Sequence, residues 1–438
     1  MEIVAAETAA IDLQLPRARS VASYLMSGAS VAASLVSSQR SGSRETLIVD
    51  LTPEVGQLPK IDIRNVERVS ITFDASDTTW PSVSALREDF PVGLPHTNGC
   101  EAGERPTLCI ATERFTDLRH MLTAADLIER IRYWFGATSS GKLHQDDQAL
   151  EPFIFGSGMS LILPSAMQDV ADGVSAAYTV EECEAGWYRA VPRSNSSQRA
   201  TPACLLILTT PARVHGLTRT IPRSLVELAK YIDDETYSLI TNIRAALTTF
   251  RDNPVSKSML FANLVLLLRT PLSREPGLEP ERVDVKALWL YGLDGVAKAL
   301  GVWEVHRGER IGIVKAEVSA APLRILLLGV EYALDAELAA AYNGLSSATH
   351  PRFTAIGAGA LGSQVLLNMA RSAMRPSAII DDDHLAPHNL ARHGLFDFSV
   401  GYFKATALSR ELDDLINDGH RTTAVPEDVM AVLTPVEK

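Results

Sequence analysis

The feature of this sequence that most constrains its fold is a glycine-rich turn between an apolar run and an amphipathic run. The apolar run at residues 353–356 predicts a buried strand, and residues 363–371 after the turn predict a helix. Between them stands a G-x-G-x-x-G pattern made of Gly357, Gly359 and Gly362. These glycines let the backbone turn tightly and approach a phosphate, and the free N–H groups of the helix N-terminus attract that anion.

A second apolar run, 377–380, predicts the next strand, and Asp381 follows directly at its end. Strand, glycine turn, helix, strand and carboxylate is the order of a nucleotide-binding βαβ unit. In such a unit the acid accepts hydrogen bonds from ribose hydroxyls, so we predict Asp381 as a ribose ligand. NAD-dependent oxidoreductases share the pattern and stay an alternative, although no pair of residues for a hydride site stands out.

Polar residues beyond this unit favour a different chemistry, because Asn389, Arg392 and Lys404 follow the second strand. An adenylating enzyme needs such groups, since attack of a carboxylate on an α-phosphate builds negative charge that fixed cations stabilise. Residues 351–410 resemble the adenylation domain of ubiquitin-activating enzymes and of their bacterial relatives ThiF and MoeB. The resemblance implies ATP and Mg²⁺ as cofactors, with the three glycines, Asp381 and Asn389 binding nucleotide. It also implies that Arg392 and Lys404 serve catalysis at the phosphates.

Length, charge and cysteine content exclude several classes of protein. A chain of 438 residues allows two to four domains, and its net charge of -12 argues against general nucleic-acid binding. The start lacks the basic segment of a signal peptide, and the apolar run 259–268 is too short to span a bilayer. The four cysteines include no C-x-x-C pair, which argues against a zinc site. We therefore expect a cytoplasmic protein with reduced thiols and no nucleic-acid or membrane partner.

The N-terminal segment predicts an α+β domain. Residues 10–40 predict a helix, residues 46–51 and 66–73 predict strands, and residues 123–135 predict a helix. Thr123 is the expected cap of that last helix, with an acid three residues later as in a capping box. A long loop containing prolines and a cysteine lies between the strands and this helix.

That order of elements resembles the ubiquitin-conjugating-enzyme fold. Members of that family carry a His-Pro-Asn shortly before the active-site cysteine, and here His96-Thr97-Asn98 precedes Cys109 with Thr in place of Pro. The resemblance implies that Cys109 accepts a thioester and that Asn98 donates to the oxyanion. We also expect Arg105 to favour the Cys109 thiolate.

The plain alternative is that Cys109 is a small buried residue between two apolar neighbours. We expect the other cysteines to be less reactive. Cys100 and Cys183 have glutamate neighbours that would raise their pKa, and Cys204 begins an apolar strand that predicts a core position.

The middle of the chain predicts a mixed α/β connecting domain without a catalytic constellation. Residues 224–232 and 234–247 predict helices, the second with acids in its first turn. Farther along, three histidines suggest a metal site, but Pro387 opposes the regular helix that their spacing would need. We therefore predict a polar loop and no metal site for His384, His388 and His393.

The whole sequence predicts a multi-domain α/β chain. We expect a ubiquitin-conjugating-like domain at 1–158, a mixed α/β connector at 159–345 and a Rossmann-like ThiF-type adenylation domain at 346–438. We expect this last domain to be incomplete at its C-terminus, because the activating family continues with an acid-ended strand and a catalytic cysteine. The chain is either truncated or a shortened relative that has no activating cysteine. Adenylation by this chain alone should then be poor.

This arrangement resembles the bacterial activating–conjugating fusion proteins of CBASS anti-phage operons. The resemblance implies a CD-NTase-like nucleotidyltransferase partner that presents a C-terminal glycine, a target protein amine, and a homodimer formed through the adenylation domain. A non-catalytic, Rossmann-type nucleotide-binding scaffold or sensor stays open as an alternative function.

Overall fold

The fold is known from a computed structural model. The described residues are 13–145, 147–154, 158–175, 178–192, 203–216, 218, 220–251, 263–292, 295–307, 309–312, 319–348, 352–416 and 419–433. The chain divides into two compact units. The first comprises Met1–Ser160, Asp172–Thr179 and Gln198–Gly329, and the second comprises Leu161–Ala171, Val180–Ser197 and Val330–Lys438.

The first unit begins with a four-stranded antiparallel sheet, of strand order β1-β2-β3-β4, packed against helices. Its elements are α1 (Pro16–Met26), β1 (Ala33–Ser41), β2 (Arg44–Leu51), β3 (Glu67–Asp74), β4 (Ser82–Ala85), α2 (Phe115–Leu118) and α3 (Ala124–Ser139). Alternate residues of β2, Leu47, Val49 and Leu51, are fully buried, as expected for a sheet with one covered face. Trp134 and Phe135 of α3 belong to the same core.

Two strands and the last helix of this region confirm the sequence prediction, and the first helix corrects it. The predicted helix at 10–40 ends at Met26, and residues 10–12 lie outside the described part. Gly28 has a φ of +71°, which stops the helix, and β1 pairs with β2 from Ala33 onward. Thr123 caps α3 as predicted, because Asp126 N donates to Thr123 Oγ1 at 3.2 Å while Thr123 N donates to Asp126 Oδ2 at 2.9 Å.

The middle of the chain is rich in strands. Its elements are β5 (Ser160–Leu163), β6 (Gly173–Ser175), β7 (Tyr178–Glu184), β8 (Trp187–Pro192), β9 (Ala203–Thr209), β10 (Arg213–Val214), α4 (Leu225–Ile232), α5 (Leu239–Arg251), β11 (Asn263–Ser273), β12 (Arg282–Tyr291), α6 (Val296–Ala299), β13 (Glu304–His306), β14 (Glu309–Ile311), β15 (Arg324–Tyr332) and α7 (Ala336–Tyr342). Within the first unit β6, β9, β11, β12 and β15 are neighbours in that order, and apolar faces of α4 and α5 join their core.

One of the two helices predicted here starts later than expected. The helix predicted at 234–247 begins at Leu239, so no acid lies in its first turn. Asp234 instead accepts hydrogen bonds from the backbone N–H groups of Thr236 and Tyr237, at 2.9 and 3.0 Å. These bonds form a turn that competes with the helix, as aspartate side chains often do.

The last part of the second unit contains a three-stranded parallel sheet of order β16-β17-β18. Its elements are β16 (Thr354–Ile356), α8 (Ala360–Arg371), β17 (Ala378–Ile380), α9 (Lys404–Leu415), β18 (Thr423–Val425) and α10 (Val429–Leu433). The predicted strand, turn, helix and strand are confirmed. The expectation that the first strand is buried is wrong, because β16 lies at an end of this sheet and Ile356 is 61% exposed. Within the described residues, no helix is long and apolar enough to cross a membrane.

Candidate functional sites

The glycine turn joins β16 to the N-terminus of α8. Gly357 has a φ of +92°, a conformation that favours glycine. A Cβ on Gly362 would lie 2.2 Å from the carbonyl oxygen of Gly357, so the third glycine permits the close approach of helix and turn. Gly359 caps α8, and a Cβ there would meet no atom within 4 Å. The turn therefore leaves open space in front of the first N–H groups of α8, where an anion can bind.

Two side chains fix this turn by hydrogen bonds to the backbone of Ala358, which is fully buried. One side chain binds the N–H group and the other binds the carbonyl. The Ala358 N–H donates to Asp381 Oδ2 at 2.6 Å, and the Ala358 carbonyl accepts from His393 Nε2 at 2.6 Å. Asp381 Oδ1 also accepts from the N–H of Asp383 at 3.0 Å. Asp381 thus orients the turn, and because a carboxylate has about four lone-pair sites, capacity for a ribose hydroxyl remains. The ribose contact itself stays a prediction.

His393 is a residue whose role the sequence did not reveal. It is 7% exposed, whereas the sequence placed it in a polar loop with His384 and His388. Its partner Ala358 is 35 positions away, so no local pattern could indicate the contact. Pro387 does oppose a regular helix as predicted, since residues Pro387–Ala391 form a 3₁₀ helix. In the described part of the chain, no three His, Cys, Asp or Glu residues are grouped so that they could hold a metal ion.

The predicted cations occupy different environments. Lys404 begins α9, its side chain is 10% exposed, and its Nζ donates to Asp383 Oδ2 at 2.6 Å. This hydrogen bond lowers the pKa of the Asp383 carboxyl below its ordinary value. Arg392 is exposed. Its backbone N–H donates to the carbonyl of Asn389 at 2.9 Å, and its side chain forms no hydrogen bond or ion pair with a described residue. Asn389 accepts a bond from the N–H of Ala386 at 2.9 Å through Oδ1, which fixes its amide.

The structure thus joins the glycine turn, Asp381, Asp383 and Lys404 through direct hydrogen bonds. Asn389 is linked to them because its carbonyl accepts from the N–H of His393, whose ring holds the turn. This arrangement can bind a triphosphate between helix N-terminus and cations, and the roles assigned to the individual residues stay predictions.

A second candidate site surrounds Cys109 in the first unit. The Cys109 N–H donates to the carbonyl of His96 at 2.8 Å, and its Sγ donates to the carbonyl of Ala111 at 3.5 Å. The half-buried thiol borders a cavity of about 610 Å³ beside α3, whose walls include Leu118 and Tyr133. Burial raises the pKa of Cys109, and the Glu151 carboxylate adds to that rise, while the bond to Ala111 opposes it.

Arg105 does not activate this thiol, and the expectation that it would is wrong. Its Nη1 donates to the carbonyls of Ala85, at 3.2 Å, and Arg87, at 2.7 Å, so it ties the loop to the end of β4. Asn98 is exposed, and its Nδ2 donates to Thr107 Oγ1 at 2.9 Å, two residues before Cys109. An oxyanion role for Asn98 stays a prediction.

The other cysteines lie in three different surroundings. Cys100 is partly buried, and its pKa is raised chiefly by that burial, with smaller contributions from Glu104 and Glu101. The predicted direction is therefore confirmed, although burial and not glutamate is the main cause. Cys204 is buried in β9 as expected, and Cys183 is exposed.

Two protein families match the two sites separately. The prokaryotic E2 family A, in which E2 denotes ubiquitin-conjugating enzymes, matches residues 19–170, and the ThiF family matches residues 335–436. The first match contains Cys109 and its cavity, and the second contains the glycine turn with Arg392 and Lys404. The chain therefore combines a conjugating-enzyme-like segment with a Rossmann-like ThiF segment.

One curated relative extends this comparison. The ATP-dependent ubiquitin transferase-like protein Cap2 of Enterobacter hormaechei subsp. hoffmannii (strain UCI 50) is 33% identical over 155 residues. That stretch covers 35% of this chain and 26% of Cap2, so the chain spans about a quarter of the length of this relative. Together the matches confirm the resemblance to the activating–conjugating fusion proteins of CBASS operons.

Solved structures overlap with short stretches only. Escherichia coli MccB, solved with AMPCPP and selenomethionine MccA, is 25% identical, with a TM-score of 0.17 over 18% of this chain and 23% of that one. The E. coli tRNA N6-threonylcarbamoyladenosine dehydratase TcdA, solved with AMP, is 26% identical, with a TM-score of 0.16 over 18% of this chain and 32% of that one. Overlaps this small say nothing about the overall fold.

Proposed function

We propose that this chain takes part in ATP-dependent, ubiquitin-like protein conjugation. The C-terminal carboxylate of a partner protein is adenylated at the glycine turn and then passes through Cys109 to a target amine. The observation that carries this proposal is the presence, in one chain, of a glycine turn linked to a lysine and of a cysteine at a large cavity. The ThiF and E2 matches coincide with these two sites.

The residues of the second unit fit ATP. The open space at Gly359 and the N–H groups of α8 suit a phosphate, and Arg392 and Lys404 supply positive charge for the developing negative charge of the transition state. ATP supplies the adenylyl group that turns a carboxylate into a reactive acyl donor. Mg²⁺ prefers oxygen ligands, and the carboxylate of Asp383, which is 69% exposed, could supply such an oxygen.

In the first unit Cys109 performs the transfer. Its Sγ attacks the activated acyl carbon and forms a thioester, which an amine of the target then opens to an amide. The raised pKa keeps the resting thiol protonated at neutral pH, so it must lose its proton during the attack. The cavity beside Cys109 offers room for the acyl donor or for the approaching amine.

The partners belong to the proposal as well. From the resemblance to Cap2 and to CBASS fusion proteins, we propose a CD-NTase-like partner that ends in glycine, and a cytoplasmic setting in anti-phage defence. We also propose a homodimer formed through the ThiF-like segment. Phe396 and Phe398 are 65% and 67% exposed with ring centroids 6.0 Å apart, and a second copy would cover such an apolar surface.

Calorimetric titration with ATP-Mg²⁺ and with NAD tests the nucleotide site. We expect ATP to bind more tightly than NAD, and Arg392→Ala to weaken ATP because a phosphate cation is lost. Arg371→Ala, which removes an exposed arginine at the end of α8, is the matched control and should leave ATP affinity unchanged. Tighter binding of NAD would contradict the adenylation proposal. ATP binding without pyrophosphate exchange in the full-length protein would favour a non-catalytic nucleotide scaffold.

A further inference from the structure

Three histidines from separate segments form a histidine stack of tilted rings, which reaches the Cys109 cavity through His96. His96 precedes Cys109, His144 follows α3, and His215 follows β10. The ring centroids of His96 and His144 are 5.4 Å apart, and those of His144 and His215 are 4.8 Å apart. Only His96 of the three borders the cavity that Cys109 also borders.

The backbone of His96 is fixed on both sides. Its carbonyl accepts from Cys109 N at 2.8 Å and from Trp134 Nε1 at 3.0 Å, and its N–H donates to Glu151 Oε1 at 2.6 Å. These bonds hold His96 at a φ of +53°, a left-handed conformation that non-glycine residues seldom adopt. Such strain persists where the surroundings impose it, and here it fixes the ring beside the cavity.

Hydrogen bonds also determine which nitrogen of His96 carries the proton. Gln148 Oε1 accepts from the backbone N–H of Gln145 at 3.0 Å, which identifies that atom as the oxygen of the amide. His96 Nε2 lies 3.3 Å from the same oxygen, so Nε2 donates and bears the proton. In a neutral imidazole the other nitrogen, Nδ1, then holds the basic lone pair.

The second histidine of the stack, His144, favours its neutral form. His144 Nδ1 lies 3.4 Å from His96 Nε2 and accepts from it, so the proton of His144 is on Nε2, which is buried without a partner among the described residues. Burial lowers the pKa of His144 most, and His215, His96 and Arg274 lower it further while Glu151 opposes them. A neutral His144 can therefore accept from a charged His96 and stabilise it.

We propose that His96 is the general base and acid of the transfer from Cys109, with Gln148 and His144 as positioning residues. This inference rests on the proposed function. The amine of a lysine is protonated at neutral pH, since its pKa is about 10.4, and a neutral nucleophile is required for attack on a thioester. His96 borders the cavity, and the lone pair of its Nδ1 is the base for the proton that the neutral amine nitrogen loses as it attacks.

The step balances with the groups named. The ammonium group first loses one proton to water. The neutral amine nitrogen then forms a bond to the thioester carbon, and His96 Nδ1 takes one of the two protons that remain on that nitrogen. The C–S bond then breaks, the electron pair goes to Cys109 Sγ, and His96 returns the proton to the sulfur. The amide and the thiol are the products, and His96 is neutral again. The raised pKa of Cys109 makes the leaving sulfur a good acceptor for this proton.

The test follows discharge of a thioester that is loaded without ATP. Thiol–thioester exchange between the full chain and a glycine-ended peptide thioester loads Cys109, and mass spectrometry confirms the adduct. The rate at which free lysine removes the peptide is then measured from pH 5.5 to 8.5. We expect His96→Gln to slow discharge by roughly 10²–10⁴-fold at neutral pH, the usual contribution of a general base. The pH dependence of lysine discharge should also differ between wild type and His96→Gln.

Matched variants distinguish a general-base role of His96 from a purely structural role. Hydroxylamine needs no base at neutral pH, so it should discharge His96→Gln at nearly the wild-type rate, which also shows that the variant is folded. His120→Gln removes an exposed histidine of the same region and should change nothing. Gln148→Leu should slow lysine discharge, and Gln148→Glu, which keeps an acceptor, should restore most of it.

Three outcomes would overturn the inference. They are equal lysine discharge by wild type and His96→Gln, an unchanged pH profile, or equal slowing with lysine and hydroxylamine. The proposed function fails differently, through absence of an ATP-dependent adduct on Cys109 in the full-length protein. The chemically loaded thioester tests His96 whether or not that adduct forms.

Discussion

At the scale of single residues, the environment of Cys109 shows what a sequence can and cannot specify. The order of elements and the His-x-Asn before it identify this cysteine as the candidate nucleophile. Its acid–base behaviour depends on atoms that fold onto it, namely the wall of α3, the carbonyl of Ala111 and the carboxylate of Glu151. Arg105 is four positions away in the sequence, yet its guanidinium is bound elsewhere.

The raised pKa of Cys109 predicts slow alkylation at neutral pH. Its rate with iodoacetamide, followed by mass spectrometry, should rise with pH through a midpoint above the ordinary cysteine value of about 8.5, because only the thiolate reacts. Glu151→Gln should lower this midpoint by removing a nearby negative charge, and Arg105→Ala should leave it unchanged. A midpoint below the ordinary value, or a shift in Arg105→Ala, would show that a cation does stabilise the thiolate.

At the scale of elements, the sequence predicted those segments whose apolar pattern agrees with their final packing. The strand at 66–73 alternates well and becomes β3, and Thr123 with Asp126 begins α3 where the capping box predicts. The predictions failed where local signals compete with tertiary pairing. Residues after Gly28 have helical spacing but pair with β2, and Asp234 forms a turn instead of opening a helix.

The glycine turn allows a prediction at this same scale, because its second and third glycines serve different purposes. Gly362→Ala would place a methyl group against the backbone of Gly357, so we expect a loss of about 1–3 kcal/mol in unfolding free energy. The methyl group of Gly359→Ala would face open space, and the φ of −72° at this position is ordinary for alanine. We therefore expect the unfolding free energy to change by less than about 0.5 kcal/mol.

Thermal unfolding and ATP titration of both variants distinguish the two roles. Gly359→Ala should remain stable yet bind ATP more weakly, because its methyl group occupies the space proposed for a phosphate. Unchanged ATP affinity in Gly359→Ala would mean that the nucleotide does not approach the turn. Unchanged stability in Gly362→Ala would mean that α8 and the turn are not in close contact.

At the scale of the whole molecule, the two chemistries that we propose for this chain depend on each other. A thioester can form on Cys109 only if an acyl group has been activated, and an adenylate is useful only if a nucleophile accepts it. The sequence indicated both segments because each has a local signature. It could not indicate His393 under the glycine turn or the histidine stack beside Cys109, since these contacts join segments 35 and more positions apart.

The most direct test of this account is the ATP-dependent formation of a thioester on Cys109. The full-length protein is incubated with ATP-Mg²⁺ and a partner that ends in glycine, and adducts are followed by mass spectrometry with and without thiol reductant. We predict a reductant-sensitive adduct on Cys109, a reductant-resistant oxyester in Cys109→Ser, and unchanged adduct levels in Cys100→Ser and Cys204→Ser. Conjugates that form normally in Cys109→Ala, or an adduct that forms without ATP, would contradict the account.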